Sequence, residues 1–186
     1  DRFSLVDIAK KVVGVGSVGT RCLIVLLAAG DGTPLFLQFK QAVPSVLEAH
    51  LGASAFEQAG QRVVEGQRLI QATSDVLLGW ARWQEPGGQE IDYYFRQLWD
   101  GKGKIAVEGL GPKRLAAYAG LCGKTLAFAH ARSGDAMTIR GYIGEDKSFD
   151  EVMVAYAEGY AGITARDHAR LCEAIGDGAI EAVRDL

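Results

Sequence analysis

Apolar residues recur in the first half of the chain as short runs, each closed by turn residues. Val12-Val13 is followed by apolar runs over 22–27, 35–40, 76–83 and 91–98. Two glycine-rich turns, Gly30-Asp31-Gly32 and Pro86-Gly87-Gly88, lie between them, and glycine supplies the positive φ that hairpin turns require. The pattern predicts short β-strands joined by tight turns.

A helical period separates the strand runs over 56–70. Its apolar face is formed by Phe56, Ala59, Val63, Gly66 and Ile70. Two glycines, Gly60 and Gly66, lie inside this segment, and each costs about 1 kcal/mol relative to alanine. We therefore expect close packing of the backbone at these positions.

Helical signals dominate the second half. Pro112 suits the first turn of a helix and Gly134 its end. Ser148 to Glu151 predicts a capping box, and Thr164 to Asp167 predicts a second cap before a last helix. The predicted fold class is α+β, with a small antiparallel β lobe over 1–100 and a helical lobe over 101–186.

Composition excludes several classes of protein. Of the 186 residues, 48% are hydrophobic and 23% are charged, as in ordinary globular proteins. The net charge of −3 argues against a nucleic-acid partner, and no apolar run is long enough to span a membrane. The three cysteines form no CxxC pair, so we expect a soluble cytoplasmic protein without disulfides.

A glycine motif is the strongest chemical signal in the sequence. Gly14, Gly16 and Gly19 match G-x-G-x-x-G, a spacing that lets backbone N–H groups approach phosphate oxygens. The predicted phosphate contacts are Gly14, Gly16, Ser17 and Gly19. A tight hairpin without a ligand is the plainer alternative.

Two nucleotide-binding folds share this motif. A Rossmann-type NAD(P)-binding domain predicts a helix over 20–27 and an acidic residue about 20 positions on, yet the next strand ends in Gln38-Phe39-Lys40. A kinase-type lobe predicts an antiparallel pair around the glycines and a lysine on the third strand. Lys40 ends such a strand.

The kinase-type interpretation also requires a helix glutamate that orients the lysine. Glu65 is the candidate, with Glu48 as the alternative, and a surface ion pair of Glu65 with Arg62 or Arg68 is the plainer explanation. The strand over 92–98 would then lead out of the β lobe, so backbone groups near Gln97 and Leu98 are candidates for reading an adenine edge. Its aromatic residues equally suit a core.

Several ordered segments resemble one known family. These are the glycine segment over 11–21, the segment 35–40 with 44–48, and the segments 60–68, 93–98 and 129–135. Together they resemble the bacterial family called domain of unknown function 2252, which is grouped with protein-kinase-like and aminoglycoside-phosphotransferase-like folds. The resemblance implies that the glycines cover ATP phosphates, Lys40 contacts them and Glu65 orients Lys40.

The sequence departs from the family pattern at two places. Gln41 stands where the family often has a glutamate. Longer members carry G-D-x-H-x-x-N-like and D-F-D-like segments ahead of the glycine loop, in an order permuted relative to ordinary kinases, and nothing before Lys11 matches them. His130-Ala131-Arg132 is no substitute, because phosphotransfer needs an Asp and Mg²⁺ ligands.

We therefore expect a permuted, partial kinase-like chain that binds ATP, with Mg²⁺ if upstream ligands are present, and is inactive alone. The alternatives are a non-catalytic module that binds nucleotide or protein, and the Rossmann-type domain. If upstream residues normally cover this chain, exposed apolar surface would drive self-association.

Overall fold

The computed structural model describes residues 2–11, 19–84, 87–98, 103 and 105–182. Contacts between residues divide the chain into two compact units, Asp1–Asp135 and Ala136–Leu186. The predicted division into lobes 1–100 and 101–186 stays a prediction.

Five antiparallel strands form one sheet in the first unit. They are β1 (Phe3–Lys10), β2 (Cys22–Ala29), β3 (Pro34–Gln41), β4 (Gly79–Gln84) and β5 (Glu90–Gln97). Their order across the sheet is β1-β2-β3-β5-β4. The chain is thus α+β with a small antiparallel sheet, as its patterns predict.

The strands begin and end near the predicted residues, with two exceptions. β1 was not predicted, and the predicted strand at Val12-Val13 lies outside the described residues. β4 begins at Gly79 rather than near Val76, because Asp75 forms a turn in which its Oδ1 accepts from the N–H of Leu77 at 2.8 Å. The predicted turn before β3 is confirmed: Gly32 has φ 84° and follows Asp31.

The described residues also form five α-helices, three in the first unit and two in the second. They are α1 (Glu48–Leu51), α2 (Ala59–Ile70), α3 (Pro112–Ser133), α4 (Ala136–Ile143) and α5 (Ser148–Gly176), and a 3₁₀ turn (Val107–Gly109) precedes α3. The helix predicted from Phe56 begins three residues later. Gln58 is extended there and caps α2, its side chain accepting from the N–H of Gln61.

Helix ends in the second half differ from the predicted caps. Gly134 ends α3 as predicted, but with φ −137° it does so in an extended conformation. Lys147, not Ser148, is the N-cap of α5, and the Ser148 hydroxyl donates to Asp146. This hydrogen bond and that of the Ser148 N–H lower the pKa of the Asp146 carboxyl.

The predicted second cap at Thr164 is wrong, because α5 continues through it. The Thr164 hydroxyl donates to the carbonyl of Tyr160 at 3.0 Å, one turn earlier in the same helix. Threonine satisfied in this way is compatible with a helix interior. None of the described helices combines the length and hydropathy that a bilayer span requires.

The described core lies within the sheet and α2. Its buried apolar residues are Cys22, Leu37, Ala42, Val64, Leu78, Ile91 and Tyr93. At Gly60 an added Cβ would lie 2.2 Å from the carbonyl oxygen of Tyr93, so α2 and β5 touch backbone to backbone there. Close packing at Gly60 is thereby confirmed, whereas nothing lies within 4 Å of a Cβ built at Gly66.

Candidate functional site

The two faces of the sheet have different neighbours. Strand register and alternation place Lys40, Tyr94, Trp80 and Asp92 on one face. α2 packs there, since the Arg68 guanidinium lies 5.6 Å from the centre of the Trp80 ring and the Ala59 N–H donates to Asp92. We call this the helix face and the opposite one the open face.

Lys40 lies on the helix face, beside the strand that begins after Gly19. Its backbone pairs with Cys22 on β2, three residues after Gly19, and with Tyr94 on β5. Lys40 is therefore next to the strand that follows the motif, although 21 residues separate it from Gly19. Among the described residues, no ion pair joins the half-buried Lys40 to a carboxylate.

Buried polar and aromatic groups surround Lys40. Gln38, two residues earlier on the same face, is buried and donates from Nε2 to the Cys22 sulfur at 3.5 Å. Tyr94 lies beside Lys40, and burial raises the pKa of its hydroxyl. This part of the helix face therefore offers a cation and an aromatic ring to a ligand, above a buried amide.

The structure does not bring Glu65 to Lys40. Glu65 lies on α2 and pairs with Arg68 at 3.2 Å, which is the plainer alternative considered from the sequence. Glu48, the other candidate, accepts a hydrogen bond from the N–H of Ser45 at 2.9 Å. In this conformation both carboxylates are held by neighbours in sequence.

Asp92 attaches α2 to the sheet. Its Oδ2 accepts from the N–H of Ala59 at 2.8 Å, and its Oδ1 accepts from Nε of Arg82 at 2.6 Å. The hydrogen bond from Arg82, together with that from Ala59, lowers the pKa of the Asp92 carboxyl. A carboxylate is also favourable at a helix N-terminus, so the hydrogen bond from Ala59 attaches the start of α2, the helix that carries Glu65, to β5.

Gln97 and Leu98, the residues predicted to read an adenine edge, extend the backbone pairing of the sheet. The N–H of Gln97 donates to Oδ2 of Asp75 at 2.6 Å, and the N–H of Leu98 donates to the carbonyl of Phe36 at 2.9 Å. Both donors are therefore already used, and a base edge read at these two residues would have to contact their carbonyl groups.

Part of the predicted site lies outside the described residues. Gly14, Gly16 and Ser17 belong to that part, whereas Gly19 is described and has φ 80°. Among the described residues, no group of three or more His, Cys, Asp or Glu side chains is placed to hold a metal ion.

Two concave surfaces were not predicted from the sequence. A polar cleft of about 360 Å³ lies at the start of α2, where Arg62 donates to the carbonyl of Val43 at 2.9 Å and its buried Nε finds no hydrogen-bond partner among the described residues. A cavity of about 610 Å³ lies on the open face. For the second, the sequence signal is that all eight residues of β2 are apolar, so the open face of this strand is apolar as well. Nothing in the sequence indicates that this face is concave.

A family model covers most of the chain. Residues 1–174 match the family described as an uncharacterized protein conserved in bacteria, DUF2252. The chain belongs to DUF2252. The match includes every residue of the predicted site, and it confirms the resemblance seen in the ordered segments at the level of the family.

Neither a curated protein nor a solved structure matches the chain. The description of DUF2252 names no activity and no ligand. What this DUF2252 chain does must therefore be argued from the geometry of its helix face.

Proposed function

We propose that this chain is the nucleotide-binding part of a kinase-like, phosphotransferase-type protein, and that it binds ATP on the helix face around Lys40. Gly14, Gly16, Ser17 and Gly19 cover the phosphates in this proposal. Lys40 contacts them, and Glu65 orients Lys40.

The observation that carries the proposal is the pairing of Lys40 with Cys22. The glycine motif joins two antiparallel strands, β1 and β2, and Lys40 lies on the third strand beside the start of β2. A kinase-type lobe requires this arrangement of loop and lysine. α2, which carries Glu65, packs on the face that carries Lys40, as an orienting glutamate on that helix requires.

The strand at 22–29 also bears on the main alternative. A Rossmann-type domain needs a helix directly after the third glycine, whereas β2 begins at Cys22. A non-catalytic module that binds nucleotide or protein remains compatible with the same lobe.

Glu65 must change partner in this proposal. Its pair with Arg68 is half-exposed, with 43% and 34% of the two side chains accessible, and such pairs contribute little stability. In this proposal the nucleotide phosphates form ion pairs with Lys40. Glu65 then leaves Arg68 and contacts the Lys40 ammonium group on the side away from the phosphates.

We expect binding without turnover from these 186 residues. Kinase chemistry uses an Asp that accepts the substrate proton and an Asn or Asp that holds Mg²⁺. The sequence contains no asparagine, and no acidic cluster of the described residues suits a metal.

The deciding experiment is a calorimetric titration of the chain with Mg·ATP, NAD(H) and NADP(H). Wild type is expected to bind Mg·ATP, and Lys40→Ala to weaken that binding at least about tenfold, which is about 1.4 kcal/mol. Lys113→Ala, which removes an exposed lysine at the start of α3, is the matched control and should bind as wild type does.

Other outcomes contradict the proposal. Equal Mg·ATP binding by wild type and Lys40→Ala would place the nucleotide elsewhere, and dinucleotide binding alone would favour the Rossmann alternative. Phosphotransfer that Lys40→Ala abolishes would overturn the expectation that the chain is inactive alone.

A further inference from the structure

The open face of the sheet carries a cavity that the nucleotide proposal does not use. Its volume of about 610 Å³ lies within the range of small-molecule sites, about 300–1,000 Å³. Its apolar lining includes Leu5, Ile8, Val25 and Trp83, and Lys10 and Arg21 are the charged residues of the lining. α2, which packs on β4 and β5 in the first unit, lies against the other face.

Charge is distributed unevenly along this cavity. Lys10 pairs with Leu23 on the neighbouring strand, and Arg21 precedes Leu23 by two residues, so both cations lie at one end. From Arg21 to Leu27 the cavity follows β2 for about 20 Å at roughly 3.3 Å per residue, and past its cationic end the lining is apolar. Both charged residues of the lining are cations.

A bulge in β1 produces this lining. The register of β1 against β2 shifts between Leu5 and Asp7. Strict alternation from Leu5 would place Asp7 and Ala9 on the open face, whereas the shift brings Ile8 and Lys10 there instead. Because of the bulge, Ile8 and Lys10 line the cavity in place of the Asp7 carboxylate and Ala9.

Large apolar side chains remain accessible in this cavity. The exposed fractions are 60% for Leu5, 50% for Ile8 and 64% for Trp83. Covering them removes apolar surface from water, which is favourable by about 25 cal/mol per Å². A ligand that fits must therefore be apolar along most of its length and anionic at one end.

We propose that the open-face cavity binds a single-chain anionic amphiphile of the fatty-acid type. The chain lies along β2 over Val25 and Leu27, and the carboxylate lies between Lys10 and Arg21. This cavity lies apart from Lys40, because Lys40 and the open face belong to opposite sides of the sheet.

The test uses dodecanoate below its micellar concentration, titrated into the full chain by calorimetry. Wild type is expected to bind dodecanoate saturably, at one molecule per chain, and dodecyltrimethylammonium at least about tenfold more weakly. Lys10→Glu should weaken dodecanoate binding at least about tenfold. Lys11→Glu is the matched control, since Lys11 is an exposed neighbour outside the cavity lining, and its affinity should stay within about twofold of wild type.

Two further variants locate the site. Val25→Asp introduces a carboxylate into the apolar part of the cavity and should abolish binding, with circular dichroism confirming the fold. Lys40→Ala should bind dodecanoate with wild-type affinity, whether or not its affinity for Mg·ATP changes. The dodecanoate and nucleotide proposals can therefore be refuted separately.

Three results would overturn the proposal. The first is no dodecanoate binding by wild type. The second is an equal response of Lys10→Glu and Lys11→Glu. The third is another occupant of the face: dimers in light scattering that Val25→Asp dissociates, or binding to phosphatidylglycerol vesicles without binding of monomeric dodecanoate.

Discussion

The carboxylate of Asp92 on β5 accepts a hydrogen bond of 2.8 Å from the backbone N–H of Ala59, the first residue of α2. The same carboxylate pairs with Arg82 on β4 at 2.6 Å, and only 14% of its side chain is exposed. One side chain thus joins the helix that carries Glu65 to the sheet that carries Lys40. The geometry of the proposed nucleotide site depends on this junction.

Replacing Asp92 should loosen α2. Asp92→Asn keeps the size of the side chain but removes the charge that Arg82 and the helix N-terminus favour. We expect a loss of about 1–3 kcal/mol in the free energy of unfolding, measured by urea denaturation. Glu90→Gln is the control, because Glu90 is exposed and lies 3.5 Å from Arg82, and its loss should stay below about 1 kcal/mol. Equal losses would show that Asp92 does not hold the helix.

Asp92 should also make stability depend on pH. Its pKa is lowered in the folded protein by the hydrogen bonds from Arg82 and Ala59, so below about pH 4 the unfolded chain takes up a proton that the folded chain does not. The stabilisation is therefore complete above the unfolded pKa and is lost as the pH falls through the folded one. The free energy of unfolding, measured between pH 6 and pH 3, should fall less for Asp92→Asn than for wild type. An equal fall in both proteins would contradict this assignment of Asp92.

The two glycines inside α2 should respond oppositely to alanine. At Gly60 a Cβ meets the Tyr93 carbonyl oxygen at 2.2 Å, so Gly60→Ala must push the helix from the sheet, at a cost of about 2 kcal/mol or more. At Gly66 nothing lies within 4 Å, and Gly66→Ala should stabilise by about 0.5–1 kcal/mol. Thermal unfolding of both variants tests this, and a stabilised Gly60→Ala would show that the approach of α2 to β5 is looser than described.

Substitutions of Glu65 and of Arg68 should affect stability and nucleotide binding differently. Arg68 donates to the carbonyl of Leu78 at 2.8 Å and lies over Trp80, so Arg68→Ala should cost about 1–2 kcal/mol of stability. Glu65→Gln removes only a half-exposed ion pair and should cost less than about 0.5 kcal/mol.

In Mg·ATP titrations the ranking of the two variants should reverse, so that Glu65→Gln lowers the affinity more than Arg68→Ala does. Glu65→Gln weakens binding if Glu65 orients Lys40, whereas Arg68→Ala frees Glu65 and leaves the affinity unchanged or improved. Wild-type affinity in Glu65→Gln would remove Glu65 from the site and leave its pair with Arg68 as its role.

Local patterns predicted the elements best where one signal acted alone. The apolar run before Gly30-Asp31-Gly32 became β2, because a short continuous apolar run and the turn glycines that end it act within a few residues. The Thr164 cap was wrong because serine and threonine side chains also bond backbone carbonyls inside helices. β1 escaped prediction because most of its residues are exposed, as expected of a strand at the edge of a sheet, and a bulge interrupts its alternation.

The sequence by itself determined which chemistry is present: a glycine motif, a lysine at the end of an apolar strand and a helix glutamate, within an α+β chain. Only the tertiary structure decided which of these groups meet. Strand register placed Lys40 beside Cys22, the packing of α2 on the sheet put Ala59 against Asp92, and a one-residue bulge set which side chains line the open face. These are relations between residues distant in sequence, which depend on how strands pair and helices pack, and no local pattern of side chains encodes them.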